Sequence, residues 1–274
     1  MRDFTTDRMF LLLSSLKSQG YGFTTVAGYL PDPTSPAEIA RHDVDARTAN
    51  SVRCAELENR LGISGTYYFR TVPAAWDDKV VSEIHRLGHE IGYHYEDLAA
   101  AGGNFERAIE NFGRNLAKLR HLAPVETICM HGSPLSKYDN RLLWEKYNYR
   151  DFGISGEPYF DLDFNRVFYL TDTGRSWNGN RFNLRDRVTE DKGKSEGKEA
   201  EQDGVSPMSQ TGSFGDTMDI ICALKENRLP SVIMITVHPQ RWNNEFIPWV
   251  KELLFQNVKN EVKSLIRGRL QDKI

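Results

Sequence analysis

Asp43 and Asp45 flank a single valine, and in extended backbone such i, i+2 side chains project to the same side, placing two carboxylates in one small volume. Like charges that close repel. A divalent cation held by one of them relieves the repulsion and leaves the other ionised and free to take a proton from water. The same pair also fits an N-cap ahead of a helix opening at Ala46, a position that favours Asp. His94, with Glu96 two residues on, supplies the imidazole and carboxylate mix that a borderline cation such as zinc accepts. His131 stands in Met130-His131-Gly132-Ser133-Pro134, where Gly and Pro impose a sharp turn; it reads as a third ligand, as a group orienting a carboxylate, or as a loop tie. His238 ends an apolar run and is followed by Pro239, and a rigid imidazole with a near-neutral pKa suits a general acid, or simply caps its own loop. His89 lies five residues before His94, off any shared helical face, and reads as structural.

These residues sit at the ends of segments with strand chemistry, separated by segments of helical periodicity. Residues 7–19 form a helix closed by Gly20, and a strand ends at Ile39-Ala40-Arg41-His42-Asp43. Helices follow over 46–61, 79–87 and 105–120, alternating with strands at 65–70, 89–94 and 125–130. The alternation continues through Arg150-Asp151-Phe152-Gly153-Ile154 and Val167-Phe168-Tyr169-Leu170. A helix over 216–226, the buried strand Pro230–Val237 and an amphipathic C-terminal helix over 247–266 complete it. Such order predicts an α/β fold with a parallel sheet or barrel, whose strand ends gather side chains from distant positions. Residues 189–211 are Lys, Glu, Gly, Ser and Gln with little to bury, and read as a mobile insertion in an otherwise single domain of 274 residues.

The composition, 39% hydrophobic and 27% charged, is that of a globular chain. A formal charge of −3 gives no global field to attract nucleic acid or an anionic membrane, which points to a small or neutral partner. No run of 18 apolar residues occurs to span a bilayer, and Met9–Leu13 is too short and too acidic at its start for a signal peptide. Three cysteines, Cys54, Cys129 and Cys222, lack metal-type spacing and read as reduced core residues, which points to the cytoplasm.

In order and spacing, Arg41-His42-Asp43-Val44-Asp45, Gly88-His89-Glu90-Ile91-Gly92-Tyr93-His94, His131-Gly132-Ser133-Pro134 and Ile235-Thr236-Val237-His238 resemble the motifs of the NodB-homology polysaccharide deacetylases across residues 38–242. The resemblance implies a distorted (β/α) barrel of about seven strands with peripheral helices, its site at the C-terminal rim. It implies Asp43 as general base, Asp45 and His94 as metal ligands and His238 as general acid. The Asp172–Trp177 loop, with Arg175, resembles the segment that lines the acyl pocket and places a carboxylate near the acid. The implied activity is zinc-assisted removal of an N- or O-acetyl group from a sugar or polysaccharide precursor. The His-Asp-Val-Asp variant resembles a subgroup tied to surface polysaccharide and O-antigen synthesis.

The chain departs from the family at three places. Val44 separates aspartates that are adjacent in the family, which leaves the two roles interchangeable between Asp43 and Asp45. Leu98 stands where a second ligand histidine is usual, leaving His131 or Glu96 to complete the set. The arginine that pairs with the base is missing from the third motif, leaving Arg41 or Arg175 to replace it. A non-catalytic carbohydrate-binding protein, with Tyr93, Trp177 and Trp242 as stacking surfaces, and an amidase on a non-sugar substrate are the alternatives. Oligomeric state is not legible in the sequence.

Overall fold

Seven short strands lie side by side, all parallel, in the order β5-β4-β3-β2-β7-β6, with β1 beside β2. They are β1 Gly22–Thr24, β2 Ala37–Val44, β3 Thr66–Phe69, β4 Glu90–Tyr95, β5 Val125–Met130, β6 Phe168–Thr171 and β7 Val232–Val237. The structure is a computed structural model and describes residues 2–33, 37–133, 136–177 and 214–271, without the side chains of 262–271. The 189–211 insertion lies outside the described residues. The sheet is compatible with a distorted (β/α) barrel, as expected, but β5 and β6 do not pair and it stays open between them.

The longer helices are α1 Thr6–Ser18, α3 Thr48–Arg60, α4 Asp78–Arg86, α6 Phe105–Arg120, α9 Thr217–Lys225 and α10 Phe246–Gln271. Four short ones, α2 Val26–Tyr29, α5 Asp97–Ala100, α7 Leu143–Lys146 and α8 Pro158–Asp161, sit in connections. Their ends follow local chemistry: Asp77 and Asn104 cap α4 and α6, and Asp216 with Asp219 forms a capping box on α9.

β2 is buried along its whole length because it has neighbours on both edges and cover on both faces. β7 pairs with residues 37–42, while on the other edge β1 takes residues 37–39 and β3 takes 41–44. Ala37 and Ile39 face an inner apolar cluster with Tyr68, Cys129 and Met234, whereas Val44 joins the larger cluster beneath the helices with Cys54, Leu57 and Tyr67. Period-2 alternation therefore sends Arg41 and Asp43 inward and Glu38 and His42 toward α3.

Three expectations are corrected. Arg150–Ile154 is not a strand: Tyr149–Phe152 is a 3-10 turn, ended by Gly153 at φ +68°. The residues just after it bond to β5 instead, Ser155 N to Glu126 O and Ile128 N to Gly156 O. Cys222 is exposed, unlike buried Cys54 and Cys129. The C-terminal helix turns its apolar side outward: Phe246, Ile247, Leu254, Phe255 and Val258 are each more than half exposed, while Glu252, Gln256 and Asn260 are buried. The inversion has polar causes. Glu252 meets Arg47 at 2.9 Å, and Asn260 Nδ2 donates to Gly174 O at 3.0 Å.

Candidate active site

The sequence-derived residues converge at the C-terminal ends of β2, β4, β5 and β7. Asp43 is the next-to-last residue of β2 and Asp45 follows its end; His94 lies near the end of β4, while His131 and His238 directly follow β5 and β7. The glycine of the β4 motif has a packing reason, since a Cβ at Gly92 would collide with the Tyr68 ring.

Three imidazoles aim one nitrogen each at Asp45. His94 Nε2 and His131 Nε2 are both 3.7 Å from Asp45 Oδ1, and His238 Nε2 is 3.9 Å from Oδ2. The opposite nitrogens are all engaged by acceptors. His94 Nδ1 donates to Cys129 O at 2.9 Å, His131 Nδ1 to Glu96 Oε2 at 2.8 Å and His238 Nδ1 to Asp172 Oδ1 at 2.6 Å. A neutral ring that donates from Nδ1 carries its lone pair on Nε2, so three lone pairs face a carboxylate. Such a group is stable only with positive charge among its members, carried by protons or by a cation. Asp45 Oδ1 is buried and has no hydrogen-bond partner, and the separations are too long for direct hydrogen bonds. Imidazole and carboxylate are donors of the kind that divalent metals take.

Electrostatics points the same way. Burial raises the Asp45 carboxyl, but facing His131, His238 and His94 more than reverse this and hold it well below the usual range. For His94 burial dominates and lowers the imidazole, whereas His131 is raised, its burial outweighed by the hydrogen bond to Glu96 and the charge of Asp45. Glu96 is brought down to about 2 against its own burial by His131 and Arg70, the latter bonding both its oxygens. Glu96 is thus bonded to the ring of His131 on one side and to Arg70 on the other.

Asp43 is held differently. Arg41 Nε and Nη2 bond its two oxygens at 2.9 and 2.7 Å, and His94 Nε2 lies 3.8 Å from Oδ2. Burial raises its carboxyl, and Arg41, His94 and His238 lower it overall. Of the two arginines considered, Arg41 is the one that bonds Asp43; Arg175 donates to Trp249 O and lies over the Phe4 and Trp249 rings. A second grouping shares two of these residues: ligand atoms of buried Asp43, His94 and Cys129 lie within 4.8 Å of one another and could also hold a metal ion. The Asp45 grouping is the stronger in donor chemistry, because Cys129 belongs to the inner apolar cluster and its Sγ approaches Met130 O at 3.8 Å.

No family model and no curated protein matches this chain.

Asp172 is the anchor of His238. Fully buried, it accepts from His238 N and Nδ1, from Arg241 Nη1 and from Trp242 Nε1, and lies at about 2 because Arg241 and His238 outweigh its burial. Sequence reasoning placed Asp172 beside the acid and missed Arg241 and Trp242, which the order His238-Pro239-Gln240-Arg241-Trp242 puts one tight turn away. Trp177 is buried between Phe4 and Trp242 and donates to Thr217 Oγ1 at 3.0 Å. Trp177, Trp242 and Tyr93 all pack in the core, so none of the three offers an open stacking face. Leu98 is also in the core, while the His131 imidazole, just after β5, faces Asp45. Glu157, also missed, reaches under β5 to accept from Met130 N and is pushed up to about 7 by burial.

Proposed function

We propose that the chain is a metal-dependent hydrolase that removes an N- or O-acetyl group from a sugar or polysaccharide precursor, in the manner of the NodB-homology deacetylases its motifs resemble. The observation that carries this reading is the convergence of three Nδ1-anchored imidazoles on Asp45 beside a carboxylate clamped by Arg41. Asp45, His94 and His131 would hold the metal, zinc by donor type, and it would supply Lewis-acid polarisation of the acyl carbonyl and acidify water. Asp43 takes the proton from water, and the Arg41 clamp keeps its carboxylate ionised and aimed. His238 gives a proton to the leaving nitrogen or oxygen, and Asp172 holds its tautomer and orientation. An amide on a non-sugar substrate would use the same groups.

The cytoplasm is the compartment proposed, on the buried free thiols of Cys54 and Cys129. The test is the metal content of the purified chain and of His94→Ala after dialysis against trace zinc, paired with acetate release from N-acetylated sugars. Near-stoichiometric zinc in the wild type, lost in the variant together with acetate release, is the expected result. Absence of metal from both would sink the mechanism.

A further inference from the structure

The outward side of α10 has a chemistry that the active site does not use. Among the described residues, Ile247, Leu254 and Val258 recur at seven- and four-residue steps on one helix side, with Phe246 and Phe255 at its margins, all more than half exposed. Cations stand against the two rings. Lys259 Nζ lies 4.3 Å from the Phe255 centroid, and Arg2 Cζ lies 5.4 Å from that of Phe246. Residues 246–274 carry Lys251, Lys259, Lys263, Arg267, Arg269 and Lys273 against Glu252, Glu261 and Asp272, although the chain as a whole has a charge of −3. Glu252 is buried on the opposite side, paired with Arg47.

We propose that this side of α10 docks on an anionic lipid bilayer surface, its aliphatic and aromatic side chains entering the interface while the lysines meet lipid phosphates. An apolar stripe bordered by basic residues is the pattern of a helix that lies in a membrane surface. The complementarity is specific in sign. On the exposed side of the described part of α10, Lys251 and Lys259 outnumber Glu261, and residues 189–211 of this chain offer almost no apolar surface to cover the stripe. No described helix is long and apolar enough to cross a membrane, so the helix lies on the surface. The proposal does not depend on the reading of the active site.

The test is co-sedimentation of the full chain with mixed phosphatidylcholine and phosphatidylglycerol vesicles, and with phosphatidylcholine alone, at low and high salt. The wild type is expected to sediment with the anionic vesicles, to bind the neutral ones weakly and to be released by salt. Leu254→Asp combined with Val258→Asp should weaken partitioning by about tenfold or more while leaving circular dichroism unchanged. Phe255→Ala, a milder change, should give a smaller loss of the same kind if the double variant fails to fold. Equal sedimentation with neutral and anionic vesicles, none with either, or full binding by the folded variants overturns the proposal. A wild-type dimer in sedimentation velocity that the double variant dissociates would also overturn it, assigning the stripe to a second copy.

Discussion

The two faces of β2 carry the same residue types and use them in opposite ways. Facing α3, His42 Nε2 meets Glu58 Oε1 at 2.9 Å, Tyr67 donates to Glu58 Oε2 at 2.8 Å and stacks on His42, and His89 Nε2 donates to Ala55 O. Glu58 is approached on both oxygens and is lowered against its burial chiefly by His42 and then His89, although Glu38 Oε2 on the same face has no hydrogen-bond partner. Inward, around Asp43 and Asp45, imidazoles stop 3.7 to 3.9 Å short of the carboxylates. A closed network stiffens the fold, whereas one held open at its centre is preorganised for something else to enter. Histidine and carboxylate in proximity do not distinguish the two; the gap does.

The sharpest way to break this comparison is to remove the carboxylate at the gap. Asp45→Ala should lose the metal and with it turnover, while Asp43→Ala should keep the metal and lose turnover by about 10²–10⁴-fold, the range of a general base. Elemental analysis beside an acetate-release assay checks both, and the opposite pattern would exchange the roles of the two aspartates. On the other face, Glu58→Ala leaves His42 and the Tyr67 hydroxyl without their partner, a loss of about 3–5 kcal/mol in urea unfolding. The folded fraction should still bind metal; loss of metal there would merge the two faces into one unit.

Glu157 offers a pH test of how β5 is held beneath His131. Its carboxyl is raised to about 7 in the folded chain by burial, above an unfolded value of about 4.3. The folded state therefore binds the extra proton between these values, so this contribution is complete below the unfolded pKa and is lost as pH rises through the folded one. Relative to Glu157→Gln, the wild type should lose about 2–4 kcal/mol between pH 4 and pH 8, in order of magnitude. A parallel pair of stability curves would mean the carboxyl is ionised throughout. The smallest effect is expected from Leu98→His, which places a histidine at a position that the fold has filled with core. It should add no metal and cost about 1–3 kcal/mol for an unpaired buried polar group; a gain in zinc affinity would show that α5 can turn its side chain to the site.

Much of this is legible in the sequence. The strand ends were marked by apolar runs meeting His or Asp, and Asp43, Asp45, His94, His131 and His238 do gather at one rim. The supporting residues were not, because support acts across space: Arg70 to Glu96 and Glu157 to Met130 join segments with no shared periodicity. Arg41 was named as a substitute and is the one that clamps Asp43, which i, i+2 spacing on β2 permits. Trp177 and Arg175 were expected at the substrate and instead pack against Phe4, Trp242 and Trp249, since residue type does not say which side of a loop an aromatic ring will take. The α10 side chains misled for a related reason: amphipathicity gives a stripe, and the partner that covers it is not encoded in the period.

The pairing of β2 with β7 has a consequence for how the chain acquires its site. Ala37 is opposite Val232 and His42 opposite Val237, so a central edge of the sheet waits for a strand almost two hundred residues downstream. Contacts this distant in sequence slow folding, and a chain emerging from the ribosome exposes that edge until β7 arrives. The same strand carries His238 to Asp45. Closure of the sheet edge and the arrival of His238, the proposed proton donor, are therefore one event, and until β7 pairs the nascent chain holds Asp45, His94 and His131 without their third imidazole partner.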